Sequence, residues 1–402
     1  MGKLAINGGE AFRKEPLFTW PMHDQAEEQA MMDVLKSGKW WYGAKVKEFE
    51  CLYADFQGAK HGISCVNGTA ALYIAMKALG IGPGDEVITT PWTFVATSAA
   101  IVQAGAIPVF VDIEPESLNL DIKQIEAAIT PKTKAICPVH FFGRPLDMDR
   151  LMAIAKKHKL LVVEDAAHSW GGKYKDKGLG CIGDTGTFSF QFSKNMTAGE
   201  GGIILCNDDD IQTNVWSYMN CGRWPGKPWY HMENISGNYR MTEFQAALLI
   251  AQLARMKSQM AQRLITHDFL YDKLQSVPGI ETLGPDPDYS TQRSHHGMCL
   301  RFISEVWGGV TREKFLEAMD AEGITLMSGY VFPMYRMPAF LKPENLPPGD
   351  YPDYSSMYQP VVEKAVEEVF LMPQHLLLAK PELAEDFLRV IEKLYDNRQE
   401  LL

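Results

Sequence analysis

Lys194 lies in the run Thr187-Phe188-Ser189-Phe190-Gln191-Phe192-Ser193-Lys194-Asn195-Met196-Thr197-Ala198-Gly199-Glu200-Gly201-Gly202, between a strand-like stretch and a glycine turn. Asp165 ends another apolar stretch 29 residues earlier. A lysine amine adds reversibly to an aldehyde through a carbon–nitrogen double bond, and a carboxylate facing a pyridine nitrogen keeps that nitrogen protonated. Lys194 and Asp165 supply the two groups that pyridoxal phosphate chemistry asks of a protein.

A phosphate needs its own donors. Asn67-Gly68-Thr69-Ala70-Ala71-Leu72 opens a helix, where Gly68 permits close approach and Thr69 and Ala70 offer N–H groups at the positive end of the peptide dipoles. Ser189 can add a hydroxyl. Trp92, just past Thr90-Pro91, offers a flat face for a pyridine ring, or else a core tryptophan; His168, three residues beyond Asp165, can hydrogen-bond near the ring or serve packing alone. The chain has no G-x-x-x-x-G-K-[ST] loop and no Gly-x-Ser-x-Gly elbow. His295 and His296 are adjacent and would point to opposite sides of an extended segment, and no H-E-x-x-H or clustered cysteines accompany them, so no metal site is expected.

These groups need a scaffold, and the pattern is an alternating α/β one. Helical spacing is expected over 24–35, 45–56, 67–79, 97–104, 122–128 and 148–157, and short apolar strands over 62–66, 86–90, 108–112, 135–139 and 160–163. Continuous apolar strands of this kind belong to parallel sheets covered by helices on both faces. Strands at 186–190 and 202–205 follow, then a helical stretch over 241–270. From about Val277 a second block begins, with a strand at 297–302, a helix at 312–322, an irregular aromatic and proline-rich stretch at 330–358 and a helix at 383–397.

With 402 residues the chain can bury large cores without disulfides. A net charge of −11 with no basic run argues against nucleic acid as a partner. Seven cysteines without C-x-x-C spacing read as reduced thiols, and the opening segment lacks an apolar leader, so a cytoplasmic protein without membrane spans is expected. Gly2 is not followed by the Ser or Thr of a lipidation signal.

Taken in order, Gly68-Thr69-Ala70, Glu164-Asp165-Ala166-Ala167-His168, Phe188-Ser189-Phe190 through Lys194, and Gly199-Glu200-Gly201-Gly202 resemble the DegT/DnrJ/EryC1/StrS aminotransferases, over nearly the whole chain. The resemblance implies a pyridoxal phosphate-dependent transferase of fold type I, with a mostly parallel seven-stranded sheet in a large α/β domain and a smaller α+β C-terminal domain. The corresponding divisions are an arm at 1–24, a large domain at 25–260 and a small domain at 261–402. It implies that Lys194 carries pyridoxal 5'-phosphate, Asp165 pairs with the ring nitrogen, Trp92 stacks on the ring, and Thr69, Ala70 and Ser189 hold the phosphate. A homodimer with a shared site is also implied, Asn238 reaching the partner's phosphate; on residues alone Asn238 is a turn residue before a helix.

The implied reaction moves an amino group from glutamate or glutamine to a keto-sugar or keto-cyclitol. Relatives that dehydrate replace the lysine with histidine, and this chain keeps Lys194. Trp40-Trp41, Val139-His140-Phe141-Phe142-Gly143 and the 330–336 segment look closer to the cyclitol and aminobenzoate branch, and no basic patch for a nucleotide diphosphate stands out. Arg223 and Arg240 are candidates for a substrate carboxylate or phosphate. Two alternatives remain open at this point: a dehydratase of the aminoshikimate or aminobenzoate-forming type, and a non-catalytic cofactor-binding regulatory protein.

Overall fold

In the computed structural model, which describes residues 3–402, seven strands form the main sheet. In chain order the strands of the first two-thirds are β1 (His61–Cys65), β2 (Glu86–Thr89), β3 (Ile107–Phe110), β4 (Thr133–Cys137), β5 (Leu161–Asp165), the short β6 (Lys173–Tyr174) and β7 (Lys177–Gly178), β8 (Thr185–Ser189) and β9 (Gly202–Cys206). The sheet order is β1-β9-β8-β5-β4-β2-β3, and β9 alone runs antiparallel to its neighbours. The mostly parallel α/β sheet expected from the apolar runs is what the chain forms. Gly2, and with it the lipidation question, lies outside the described residues.

Helices cover both faces: α1 (Gln25–Ser37), α2 (Ala44–Gln57), α3 (Gly68–Ala78), α4 (Val95–Gln103), α5 (Ile122–Ile125), α6 (Met148–His158) and α7 (Asp209–Met219). Their caps are written in the sequence: Asp24 and Glu27 form a capping box for α1, Asn67 caps α3 and Asp147 caps α6. One core lies between α3, α4, α7 and the sheet, with Ile74, Val87, Ile101 and Ile204 fully or almost fully buried; another lies on the opposite face around Phe49, Tyr53, Phe188 and Phe190. Each such aliphatic or aromatic side chain contributes about 1.5–3 kcal/mol relative to exposure.

A single helix, α8 (Glu243–Leu274), leads out of this sheet and runs unbroken through position 260 into a second layer. Its start is tied down because the Glu243 carboxylate accepts the N–H groups of Gly43, Lys45 and Val46 at 3.0, 3.0 and 2.8 Å. Its end, at Leu270 and Leu274, enters the core of the second layer. That layer holds the antiparallel sheet of β10 (Ile280–Thr282), β12 (Gly297–Phe302) and β13 (Val369–Pro373), while β11 (Ser290–Gln292) pairs with β6. Helices α9 (Arg312–Ala321), α10 (Pro360–Glu368) and α11 (Pro381–Asp396) complete it. The N-terminal arm packs here as well: Leu4 and Leu17 join Phe387 and Leu394 in one core, and the buried Glu322 carboxylate accepts the N–H groups of Ala5 and Phe12 and the ammonium of Lys393.

Candidate active site

The carboxyl ends of parallel strands leave a crevice where following loops diverge. Here the segments after β1, β2, β4, β5 and β8 surround a cleft of about 490 Å³. Asn67, Gly68 and Thr69 line it from the first, Thr93 and Phe94 from the second, Val139 from the third. Asp165 and His168 come from the fourth, and Ser189, Gln191 and Lys194 from the fifth.

Asp165 is the last residue of β5 and buried. Its Oδ2 accepts the Thr97 hydroxyl at 2.7 Å, itself 2.7 Å from the Thr93 hydroxyl, and its Oδ1 accepts the Ala167 N–H at 3.1 Å. Burial pushes the carboxyl up, opposed by the Thr97 and Ala167 donors and by the Lys194 charge. Its neighbour Glu164 anchors the strand from below. That carboxylate accepts from His140 Nε2 at 2.8 Å and from the N–H groups of Gly180, Ile182 and Gly183 at 2.8, 2.7 and 2.6 Å. Against the desolvation that pushes it up, these partners hold Glu164 below the usual carboxylate range.

Lys194 is half-buried in the loop joining β8 to β9, and its amine meets no hydrogen-bond acceptor or carboxylate within bonding distance among the described residues. Desolvation pulls the amine down to about 8, Asp165 opposing it. The loop is pinned by Phe192 N–H to Gly199 O at 3.0 Å and Lys194 N–H to Gln191 O at 2.9 Å. His168 is also buried, and desolvation, then the Lys194 charge, push it well below its ordinary value, so the ring is neutral. Its Nδ1 accepts the Phe142 N–H at 3.3 Å, which leaves the proton on Nε2.

At Gly68 a Cβ would stand 2.7 Å from Ser189 Cβ and 3.1 Å from its Oγ, so the start of α3 packs directly on the end of β8. The N–H groups of Gly68 and Thr69 precede the first intrahelical donor of α3, and both residues line the cleft together with Ser189. Free N–H groups at a helix start, a hydroxyl opposite, a buried carboxylate and an unpaired amine in one cleft fit the phosphate, ring nitrogen and aldehyde of pyridoxal phosphate.

Two expectations need correction. Ala70 does not line the cleft, because its N–H donates to the Asn67 side chain at 2.8 Å; the N-cap has taken the donor that a phosphate would use. Trp92 is fully buried, its ring set edge-on against Phe141 and Tyr330 at 5.9 and 5.2 Å, and it does not reach the cleft wall. The aromatic face there belongs to Phe94, 60% exposed at the N-terminus of α4. The segment 91–93 turns between β2 and α4, which points Trp92 inward and Phe94 outward.

The other flagged residues lie apart from this cleft. Asn238 is exposed on the 220–240 loop, its side chain accepting the Arg240 N–H at 3.3 Å. Arg223 lies over Trp229, 3.9 Å from the ring centroid, and Arg240 over Trp41 at 5.3 Å; Trp41, Arg223 and Trp229 help line a second cavity of about 710 Å³. From the 330–336 stretch the Tyr330 ring packs beside Trp92 and Phe141, and Met334 and Tyr335 join the same core.

The aminotransferase family model named DegT/DnrJ/EryC1/StrS matches residues 21–385. A protein of Streptoalloteichus tenebrarius named "Putative L-glutamine:3-amino-2,3-dideoxy-scyllo-inosose aminotransferase" is 36% identical over 410 aligned residues, covering 99% of this chain and 98% of the relative. The GDP-perosamine synthase of Caulobacter vibrioides is 40% identical over 74% of this chain and 79% of its own. The crystal structure of 3-amino-5-hydroxybenzoic acid synthase superposes with a TM-score of 0.85 at 31% identity, covering 96% of this chain and all of that one. An open lysine and a strand-end carboxylate thus stand in a chain alike from end to end to amino-transferring relatives, and the protein belongs to the DegT/DnrJ/EryC1/StrS aminotransferase family as one of its aminotransferases.

Proposed function

We propose that the protein is a pyridoxal 5'-phosphate-dependent aminotransferase that moves an amino group from glutamate or glutamine to a keto-cyclitol or keto-sugar. The observation that carries this reading is the unpaired Lys194 amine on the same cleft as the buried Asp165 carboxylate, with the Gly68 and Thr69 N–H groups beside it. When bound, the cofactor supplies an aldehyde that accepts the amino group and a ring that takes up the electron pair left at the donor's α-carbon.

Every other task falls to the chain. Gly68 N, Thr69 N and Ser189 Oγ would hold the phosphate, Asp165 would accept the ring N–H, Phe94 would serve as the aromatic face beside the ring, and the His168 Nε2–H would be left free to donate to the bound group. Lys194 Nζ removes the α-proton of the donor and later returns a proton to the carbon of the acceptor; an amine brought near 8 is poised to do both. Asp165, locked by Thr97 and Ala167, keeps its charge aimed without reorganising as the reaction proceeds.

A keto-cyclitol acceptor draws support from the relative whose name carries scyllo-inosose; a nucleotide-linked keto-sugar draws it from the perosamine synthase. A second copy completes the site in this reading. Asn238 sits on a loop that exposes Trp229, Tyr230, Met232 and Ile235, an apolar run suited to a partner subunit, and would reach that copy's phosphate. No described helix is long and apolar enough to cross a membrane, which is compatible with a cytoplasmic setting.

The test is donor-driven conversion of the bound cofactor to its amine form, followed by a mass-spectrometric screen of sugar and cyclitol ketones. Conversion by glutamate or glutamine and amination of one ketone class is expected. Stable cofactor binding without conversion by any amino donor would overturn the assignment and leave the regulatory alternative; water loss from an aminoshikimate-type substrate in place of amination would favour the dehydratase.

A further inference from the structure

Lys194 has four rotatable bonds and its amine has no hydrogen-bond partner among the described residues, so it is aimed by the backbone that carries it. The next residue, Asn195, is fully buried and uses all its amide groups. Nδ2 donates to Ser294 O at 2.8 Å and His295 O at 3.4 Å, Oδ1 accepts from His296 Nδ1 at 2.7 Å, and the backbone carbonyl accepts from Arg263 Nη2 at 3.5 Å. Arg263 is itself fully buried and has no carboxylate partner among the described residues; Gln374 Oε1, just beyond β13, takes its Nε at 3.1 Å.

Two of these residues, Ser294 and His296, also hold His168. The Ser294 hydroxyl donates to His168 O at 2.5 Å, and the His296 ring lies over the His168 ring at 4.4 Å and 20°. Two non-glycine residues on either side of this contact adopt the left-handed conformation, Phe142 at φ +51 and His295 at φ +48. Phe142 thereby donates its N–H to His168, and His295 turns two successive carbonyls toward Asn195. Backbone strain of this kind persists where surrounding contacts over-determine it, and it gathers at functional sites.

We propose that the segment 294–296, which leads directly into β12, is the positioning element of the Lys194 cleft: it fixes the lysine's backbone through Asn195 and the His168 ring through Ser294 and His296, so that docking of the second layer sets the aim of both groups. This rests on the reading of the cleft as the reactive site. Asn195, His295 and His296 act as positioning residues and do not face the reacting atoms. Asp165, His168 and Glu200 share the cleft with the amine, and His296 and Arg263 stand behind Asn195.

The test reads Lys194 in the full chain without added cofactor, from the pH dependence of its acetylation followed by mass spectrometry, in the unaltered protein and in Asn195→Ala, His295→Val and His295→Gly. The unaltered midpoint is expected near 8. Asn195→Ala and His295→Val should raise it by about one pH unit or more, slowing labelling at pH 8 roughly fivefold, as the loop loosens and water reaches the amine. Glycine takes a positive φ without strain, so His295→Gly should keep the original midpoint. Should Asn195→Ala not fold, the two His295 variants carry the comparison. An unmoved midpoint in His295→Val overturns the proposal, and so does an equal shift in His295→Gly, which would make the ring and not the backbone the cause. Labelling needs no turnover, so a wrong assignment of substrate or cofactor leaves this result intact.

Discussion

Replacing Gly68 with alanine should weaken cofactor binding without unfolding the protein. The added Cβ would sit 2.7 Å from Ser189 Cβ, and since neither atom is the far end of a flexible side chain, the first turn of α3 has to withdraw from β8. Ordinary contact begins near 3.4 Å, so the retreat is about 0.7 Å. A phosphate hydrogen bond of about 2.9 Å stretched by that amount leaves the bonding range. One such charge-assisted bond contributes about 1.5–3 kcal/mol, so affinity should fall roughly 10- to 150-fold. The overpacking itself should cost about 1–3 kcal/mol of stability. Titration of cofactor into the cofactor-free protein, followed by tryptophan fluorescence, measures the first effect and thermal melting the second. Ser189→Gly removes the obstructing Cβ, so in a double-mutant cycle the two losses should fall short of additive by about 1 kcal/mol or more. Unchanged affinity in Gly68→Ala, or strict additivity in the cycle, would refute the claim that α3 and Ser189 hold the phosphate between them.

Asp165→Asn keeps the size of the side chain but not its charge, and kcat should drop by about 10²–10³ with a larger isotope effect from α-deuterated donor; a loss under about threefold would remove Asp165 from the chemistry. Burial pulls the Lys194 amine down to about 8 from 10.5, so between those values the unfolded chain binds more protons and stability should rise with pH. Lys194→Met should flatten that rise in urea melts across the same interval, and an unaltered slope would count against the depressed amine. Trp92→Phe should cost about 1–3 kcal/mol of stability and leave cofactor affinity alone, whereas Phe94→Ala should weaken affinity about tenfold with stability changed by no more than about 0.5 kcal/mol. Melts and titrations that reverse this assignment would return the ring-stacking role to Trp92.

Lys194, Asp165, Gly68 and Ser189 were legible because a parallel strand announces its own carboxyl end, and the residues just past those ends share one crevice. The buried runs of β2, β4, β5 and β8 were visible for the same reason. Trp92 and Phe94 were not separable: the two aromatics sit in a turn whose direction no period records, and only packing against Phe141 and Tyr330 shows which one faces inward. Ala70 shows a different gap. Asn67 is a strong N-cap by type, and its cap consumes the third-residue N–H, leaving Gly68 and Thr69 as the free donors. The anchoring of Asn195 by residues about 100 positions away left no local mark. Helix α7 escaped because Asp209–Met219 buries only Val215, Ser217 and Met219, too thin a stripe to stand out among its polar neighbours.

The continuity of α8 bears on how the protein can be taken apart. At 32 residues it is a rod of about 48 Å, with one end clamped under Gly43 and the other embedded beside Phe302 and Phe387. A fragment ending near 260 would keep the half that carries Leu249 and Met256 and lose the half that carries Leu270 and Leu274, leaving a raw apolar surface on each piece. Chimaeras built from two relatives therefore have their natural seams before Thr242 or after Leu274, where the crossover spares the helix and each parent keeps a whole core.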